Sequence, residues 1–287
     1  MERNKIMREI SVALLSEKIE QLFLTANYEI GQDIEQAICR AIETEESETG
    51  RNVLAQIREN YEIARQERVA ICQDTGMAVL FIEIGQDVHF IGGDFTAAVN
   101  EGVRKAYKNG YLRKSVVSDP LFDRKNTGDN TPAVIHASIV PGDQVHILVT
   151  AKGFGSENMS AVKMLVPADG EKGVLDFIVE TAKKAGPNPC PPMVIGVGIG
   201  GTMEQASLLA KRMTARPAGT SHPESRYAEL EKKALAAINA LGIGPAGIGG
   251  RTTALCVNIA SAPTHIAGMP VAINICCHAA RHAEGTI

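Results

Sequence analysis

An α/β fold, with a helical N-terminal region followed by mixed β-sheets flanked by helices, is predicted from three features of this sequence. Residues 1 to about 68 carry apolar side chains at three- and four-residue steps. From Ala78 onward, apolar runs of strand length alternate with helical patterns. No Pro-, Gly- or Ser-rich linker interrupts the chain, so its 287 residues are expected to form a single compact subunit. Its parts are a mostly helical lead-in over 1–68 and a mixed α/β part over 69–287.

In the lead-in, Ile6, Ile10, Leu14, Leu15, Ile19, Leu22 and Phe23 form one stripe, and Ile34, Ala37, Ile38, Ala41 and Ile42 a second. Cys39 lies off that second stripe and reads as structural or superficial. Val53, Leu54, Ile57, Tyr61 and Ala64 define a third helix. The acidic run Glu45-Glu46-Ser47-Glu48 between the second and third helices reads as a solvated turn and helix start.

Ala78 to Ile84 and Val88 to Ile91 read as buried strands, separated by Gly85-Gln86-Asp87. Asp94 is placed to cap a helix that runs to Asn109 and stops at Gly110. Tyr111 to Asn130 is polar and irregular. Ala133 to Val140 and Gln144 to Ala151 are expected to pair as a hairpin through Pro141-Gly142-Asp143. A loop, Lys152 to Met159, follows, in which Gly153 and Gly155 permit unusual backbone angles. Helices are expected over Gly170–Lys184, Thr202–Met213 and Glu224–Leu241, and strands over Met193–Ile199, Thr253–Ala260 and Pro270–Cys276. The Gly-rich stretch 242–251 reads as a loop shaped by close backbone contacts.

A formal net charge of −4, no basic cluster and no Trp give no reason to expect a nucleic-acid partner. No apolar run approaches the ~20 residues of a membrane span, and the charged N-terminus lacks a signal-peptide core. A cytoplasmic location is therefore expected, where six cysteines do not imply disulfides. None of them forms a C-x-x-C pair, so a zinc ribbon or thioredoxin-type site is not signalled.

The chemistry concentrates at three of those cysteines. In Ile71-Cys72-Gln73-Asp74-Thr75-Gly76 a possible metal ligand, an amide, a carboxylate and a hydroxyl precede an apolar run. The same six residues also suit an ordinary helix-to-strand loop. Asn188-Pro189-Cys190-Pro191-Pro192 fixes φ around a thiol, which preorganises a ligand and gives a buried structural cysteine nothing. Cys277 follows a strand, in Cys276-Cys277-His278. Three thiolates can hold a [4Fe–4S] cluster by three of its irons, and the open iron suits reversible removal of water from a 2-hydroxy acid. A zinc site from Cys277, His278 and His282 is disfavoured by a segment too short for a helix and by the lack of an acidic base. The Gly196-Val-Gly-Ile-Gly-Gly201 match to a dinucleotide fingerprint is discounted, because no strand ending in an acidic residue follows about 20 positions on.

Five motifs in order then resemble the iron–sulfur (class I) fumarate hydratases. They are Cys72-Gln-Asp-Thr-Gly76, Lys152-Gly-Phe-Gly-Ser-Glu-Asn158, Asn188-Pro-Cys-Pro-Pro192, Gly242-Ile-Gly-Pro245 and the end motif at Cys277. The resemblance covers nearly the whole chain and is to the α subunit of the two-subunit form. The α subunit of L(+)-tartrate dehydratase shares this architecture. The resemblance implies Cys72, Cys190 and Cys277 as cluster ligands, with Cys276 a buried strand residue. It further implies Asp74 as a catalytic residue, and Gln73, Arg113, Gly155 and His265 as contacts to a small dicarboxylate. The implied activity is hydration of fumarate to (S)-malate, with tartrate dehydration as the alternative. The implied partner is a separate β subunit in an α2β2 heterotetramer, bringing further basic residues and the proton-transfer group. The Gly-Ser-Glu-Asn form of residues 155–158 looks more like fumarases than like tartrate dehydratases.

Overall fold

The computed structural model describes residues 7–287. In chain order the elements are β1 (Arg8–Ser11), α1 (Val12–Tyr28), α2 (Gln32–Thr44), α3 (Glu48–Glu67), β2 (Met77–Gly85), β3 (Val88–Ile91), α4 (Phe95–Asn109), β4 (Val134–Val140) and β5 (Val145–Lys152). They continue with the single turn α5 (Phe154–Glu157), β6 (Ala161–Leu165), α6 (Gly170–Ala185), β7 (Met193–Gly200), α7 (Met203–Met213), α8 (Ser225–Asn239), β8 (Ala254–Ala262), β9 (Met269–Cys276) and β10 (His282–Thr286). The fold is α/β with mixed sheets, as the sequence predicts. Contacts divide it into two compact units, the first of residues 7–30, 63–152 and 281–287, the second of 31–62 and 153–280. The chain passes between the units several times, so a linker is not the feature that separates them.

In the first unit a four-stranded sheet has the order β10-β5-β2-β4, and β1 pairs in parallel with β3. The expected hairpin does not form. β2 lies between the two strands, parallel to β4 and antiparallel to β5. The reason lies in β2 itself. Val79, Leu80, Phe81 and Ile82 are all buried, so the strand needs cover on both faces, which an interior position in the sheet supplies. The turn at 141–143 instead wraps the end of β2: Gly85 N–H donates to Gln144 O and Asp87 N–H to Gly142 O, at 2.8 and 2.9 Å. Leu15, Ile19 and Phe23 of α1 and Val99, Val103 and Tyr107 of α4 pack with Leu80, Ile82, Ile147 and Val149 in one core. Asp94 caps α4 as expected, accepting from Ala97 N–H at 2.7 Å. The N-terminal region is not helical throughout. Ile10 belongs to β1, and Ile6 lies outside the described residues. Leu14, expected on the apolar stripe, is 46 % exposed.

The second unit holds a sheet of order β6-β9-β7-β8. Every residue of β7 is buried. Its glycines answer for the discounted fingerprint, because a Cβ on Gly196 or Gly198 would stand 2.0 Å from the Ala210 or Ala206 carbonyl oxygen of α7. They let a helix backbone lie directly on the sheet. α6 and α8 bury Val174, Phe177, Ile178, Leu230, Ala234 and Ile238 against the same sheet. Each of these side chains other than Ala234 contributes about 1.5–3 kcal/mol.

Glu45 departs from the expected solvated turn, since it is only 2 % exposed. Its carboxylate accepts from the backbone N–H groups of Ser47, Arg251 and Thr252, the last at 2.7 Å. Burial alone would raise its pKa; the donors of Arg251, Ser47 and Thr252 outweigh burial and bring it down to about 2. Folding thus favours the ionised form. The stabilisation, on the order of 2–3 kcal/mol, is full above the ordinary value of 4.5 and is lost as pH falls toward 2. Glu45→Gln is expected to lower the denaturation midpoint clearly at pH 7 and far less at pH 3. Equal losses at both pH values would contradict an ionic anchor.

Candidate functional site

In the first unit the Cys72 loop lies between α3 and β2. Its inner half is fixed from four sides. Ile71 N–H donates to Asn27 O (2.9 Å), Thr75 Oγ1 to Arg113 O (2.8 Å), and Asn130 Nδ2 to Gly76 O (3.1 Å). Tyr107, fully buried in α4, donates its hydroxyl to Thr75 O and Gly76 O at 2.7 and 2.9 Å. Burial pushes the Tyr107 pKa up; Arg281 opposes the shift and Asp74 adds to it, so the group remains a neutral donor. Gly76 adopts φ +77°, and a Cβ there would meet the Ala151 carbonyl carbon at 2.6 Å, so the tight approach expected of it is present.

The outer half of the loop is what this anchoring presents. Cys72 and Asp74 are half-buried and Gln73 is exposed. Gly76 N–H donates to Asp74 Oδ1 at 3.0 Å, which orients the carboxylate, and Cys72 Sγ lies 3.3 Å from Gln73 Oε1. Arg113 is exposed, and its own backbone carbonyl carries the bond from Thr75. Gln73 and Asp74 thus adjoin Cys72 in the loop, and the Arg113 backbone is bonded to it through Thr75.

In the second unit Cys190 is exposed and adopts φ +53°, in the left-handed region that costs a non-glycine residue roughly 1–2 kcal/mol. The surrounding loop is tied down: Cys190 N–H donates to Pro187 O (3.1 Å), and Ala246 N–H donates to Pro191 O (2.9 Å). Ala246 belongs to the Gly-rich stretch whose far end is held by Glu45. His278 N–H donates to Cys190 O at 3.5 Å, which sets Cys277 and Cys190 on neighbouring backbone. Gly155 is exposed in α5, and a Cβ on it would stand 3.7 Å from Asn188 O, so it borders the Cys190 loop. Residues 154–157 form a helical turn, and Gly153 has an ordinary φ of −71°. His265 is exposed between β8 and β9, its Nδ1 accepting from Ala267 N–H at 3.2 Å. Its carbonyl oxygen accepts from Gly268 N–H at 3.0 Å.

Several residues outside the predicted ligand and substrate set support these groups. Tyr61, fully buried in α3, reaches His278 through Nδ1 (2.9 Å) and the carbonyl oxygen (3.0 Å). Burial raises its pKa, and negative charge at Cys277, Cys276 and Glu35 raises it further. Glu157 is bound by Lys211 and by Asn274 Nδ2 (2.9 Å), which links α5 to α7 and β9. Lys152 and Arg281, both 3 % exposed, are buried cations of the first unit, and Lys152 stands in register with Met77 at the start of β2. A polar tip on an otherwise apolar stripe, as at Tyr61, was the signal available in the sequence.

All six cysteines are outside disulfides. Cys256 and Cys276 are buried in strands, and burial pushes the Cys256 thiol up to about 12 despite Arg216, which makes it a poor ligand. Cys72, Cys190 and Cys277 instead lie on loops beyond strand or helix ends with some exposure. Among the described residues no group of three or more His, Cys, Asp or Glu side chains stands as a metal site. The fit of a cluster therefore rests on the chemistry and presentation of these thiols. Soft, reachable thiols on rigid loops suit iron–sulfur ligation. His282 lies in β10, so no helix displays it four residues after His278.

Comparison with known proteins adds a family. The Fumarate hydratase (Fumerase) family matches residues 16–286. A protein of Methanocaldococcus jannaschii, provisionally named L(+)-tartrate dehydratase subunit alpha, is 40% identical over 273 residues, covering 94% of this chain and 96% of its own. L(+)-tartrate dehydratase subunit alpha of Escherichia coli K12 is 30% identical over 284 residues, covering 98% of this chain and 92% of its own. The protein of the same name in Shigella sonnei shows the same identity and coverage. No helix among the described residues is long and apolar enough to cross a membrane.

Proposed function

The chain belongs to the fumarate hydratase (Fumerase) family of hydro-lyases, and from that premise we propose that it is the α subunit of a [4Fe–4S]-dependent hydratase of a four-carbon dicarboxylate. The first reading is reversible hydration of fumarate to (S)-malate. The second, dehydration of L(+)-tartrate to oxaloacetate, is favoured by the names of the relatives. The observation that carries the proposal is the Cys190 loop. A thiol held at a costly φ, exposed and bonded through its backbone to His278 beside Cys277, has the form of a ligand and not of a core residue.

Cys72, Cys190 and Cys277 are assigned the three thiolate positions. When bound, the cluster supplies a Lewis acid, through the iron that no thiolate holds, which stabilises charge on the departing or arriving hydroxyl oxygen. Hydration forms a C–O bond at one carbon and a C–H bond at its neighbour, and the reverse breaks both and releases one water. Asp74, oriented by Gly76 N–H, is assigned proton exchange with the substrate. Gln73 offers its amide and Arg113 its guanidinium to substrate oxygens, with Gly155 and His265 as further contacts. A separate β subunit, in an α2β2 assembly, completes the site with further cations and the second proton-transfer group. Six cysteines outside disulfides suit a reducing, cytoplasmic setting.

Anaerobic co-purification with the β subunit and assay of fumarate, malate and L(+)-tartrate tests this. Turnover is expected only with both chains present. Fumarate and malate interconversion supports the first reading, and tartrate turnover alone the second. An iron-loaded αβ complex that hydrates or dehydrates none of them overturns the proposal.

A further inference from the structure

Residues 114–127 form a bonded projection of the first unit. Val117 and Asn126 make an antiparallel bridge, and Ser118 N–H and Oγ both donate to Lys125 O, at 2.8 and 3.2 Å. Thr127 N–H donates to Val116 O (3.0 Å) and Asn126 Nδ2 to Lys114 O (2.9 Å). At the tip the Asp119 carboxylate accepts from Leu121 N–H (2.9 Å) and Phe122 N–H, while Arg124, at φ +43°, donates to Pro120 O. A tip closed by this many internal bonds is stiff. It nevertheless leaves Leu121 70 % and Phe122 83 % exposed. Isolated apolar side chains on a surface are ordinary; two adjacent large ones on a rigid, otherwise polar tip are what a preorganised contact requires.

The base of the projection is the framework of the Cys72 loop. Arg113 O accepts from Thr75 Oγ1, Ser115 N–H donates to Asn130 Oδ1 (2.7 Å), and Asn130 Nδ2 reaches Gly76 O. A chain that completes the site by covering Gln73, Asp74 and Arg113 therefore covers the ground from which the projection rises. We propose that Leu121 and Phe122 anchor the separate β subunit by seating in an apolar pocket on it, an inference that rests on the two-subunit reading above. Large apolar and aromatic anchors of this kind dominate interfaces.

The test titrates the iron-loaded α chain with purified β subunit from the same source by calorimetry. Phe122→Ser is expected to raise Kd at least tenfold, and Leu121→Ser with Phe122→Ser about a hundredfold. Absorbance near 400 nm and thermal midpoint should not change, and kcat should recover at saturating β subunit. Phe122→Leu should bind nearly as wild type. Unchanged Kd in the double variant overturns the docking assignment and leaves the hydratase reading standing. A shift in α–α association with unchanged β affinity also overturns it, making the tip a contact between copies. A wild-type α chain that forms no complex overturns both this assignment and the two-subunit reading.

Discussion

Cys190→Ser is expected to give a folded chain that retains no cluster and, with the β subunit, less than about one ten-thousandth of wild-type turnover, because the Lewis-acid contribution is lost whole. Serine can occupy the same left-handed φ and leaves the bonds from Cys190 N–H to Pro187 O and from His278 N–H to Cys190 O in place, so the loop should survive. What disappears is the soft thiolate, which an alcohol of far higher pKa does not replace. Cys256→Ala and Cys276→Ala serve as controls. Both side chains are buried in strands and should cost stability, not iron. Iron and sulfide analysis with the visible spectrum reads the result. Full iron content and turnover in Cys190→Ser would remove Cys190 from the ligand set.

Asp74→Asn is the second large effect, and it separates proton chemistry from assembly. The amide keeps an oxygen for Gly76 N–H, and the loop remains braced by Tyr107, Asn130 and Thr75. Iron content and absorbance should match wild type, while kcat falls about 10²–10⁴-fold, the usual reach of a general acid–base group. KM should move much less, since Gln73 and Arg113 are untouched. A rise in KM with kcat unchanged would make Asp74 a binding residue. Wild-type kcat would remove it from the chemistry.

Much of the fold is legible in the sequence because local periodicity and burial agree. α2, α4, α6, α7 and α8 and strands β2, β7, β8 and β9 lie where the pattern puts them. The failures have a common origin in long-range pairing. β4 and β5 look like a hairpin because a Pro-Gly-Asp turn joins them, and nothing local says that β2 comes between. β1, β6 and β10 are short edge strands, and β10 has the sequence of a polar tail, His-Ala-Glu-Gly-Thr, until β5 offers its edge. Glu45 reads as solvated because its partners, Arg251 and Thr252, lie more than 200 positions away. At the site, the loops carrying Cys72 and Cys190 are legible from prolines, glycine and polar residues crowded beside a thiol. Tyr61 and Tyr107 are not, since each fits its apolar helix stripe and shows its hydroxyl's purpose only in the fold.

Three thiolates of this chain are proposed to hold a four-iron cluster and to leave one iron for substrate. Mössbauer spectroscopy of the αβ complex, reconstituted with iron-57 and recorded with and without malate or tartrate, tests it most directly. One iron in four is expected to change its isomer shift and quadrupole splitting when the active substrate is added, and the other three to hold theirs. Four irons that all ignore substrate while the complex turns over, or turnover with no iron bound, would contradict it.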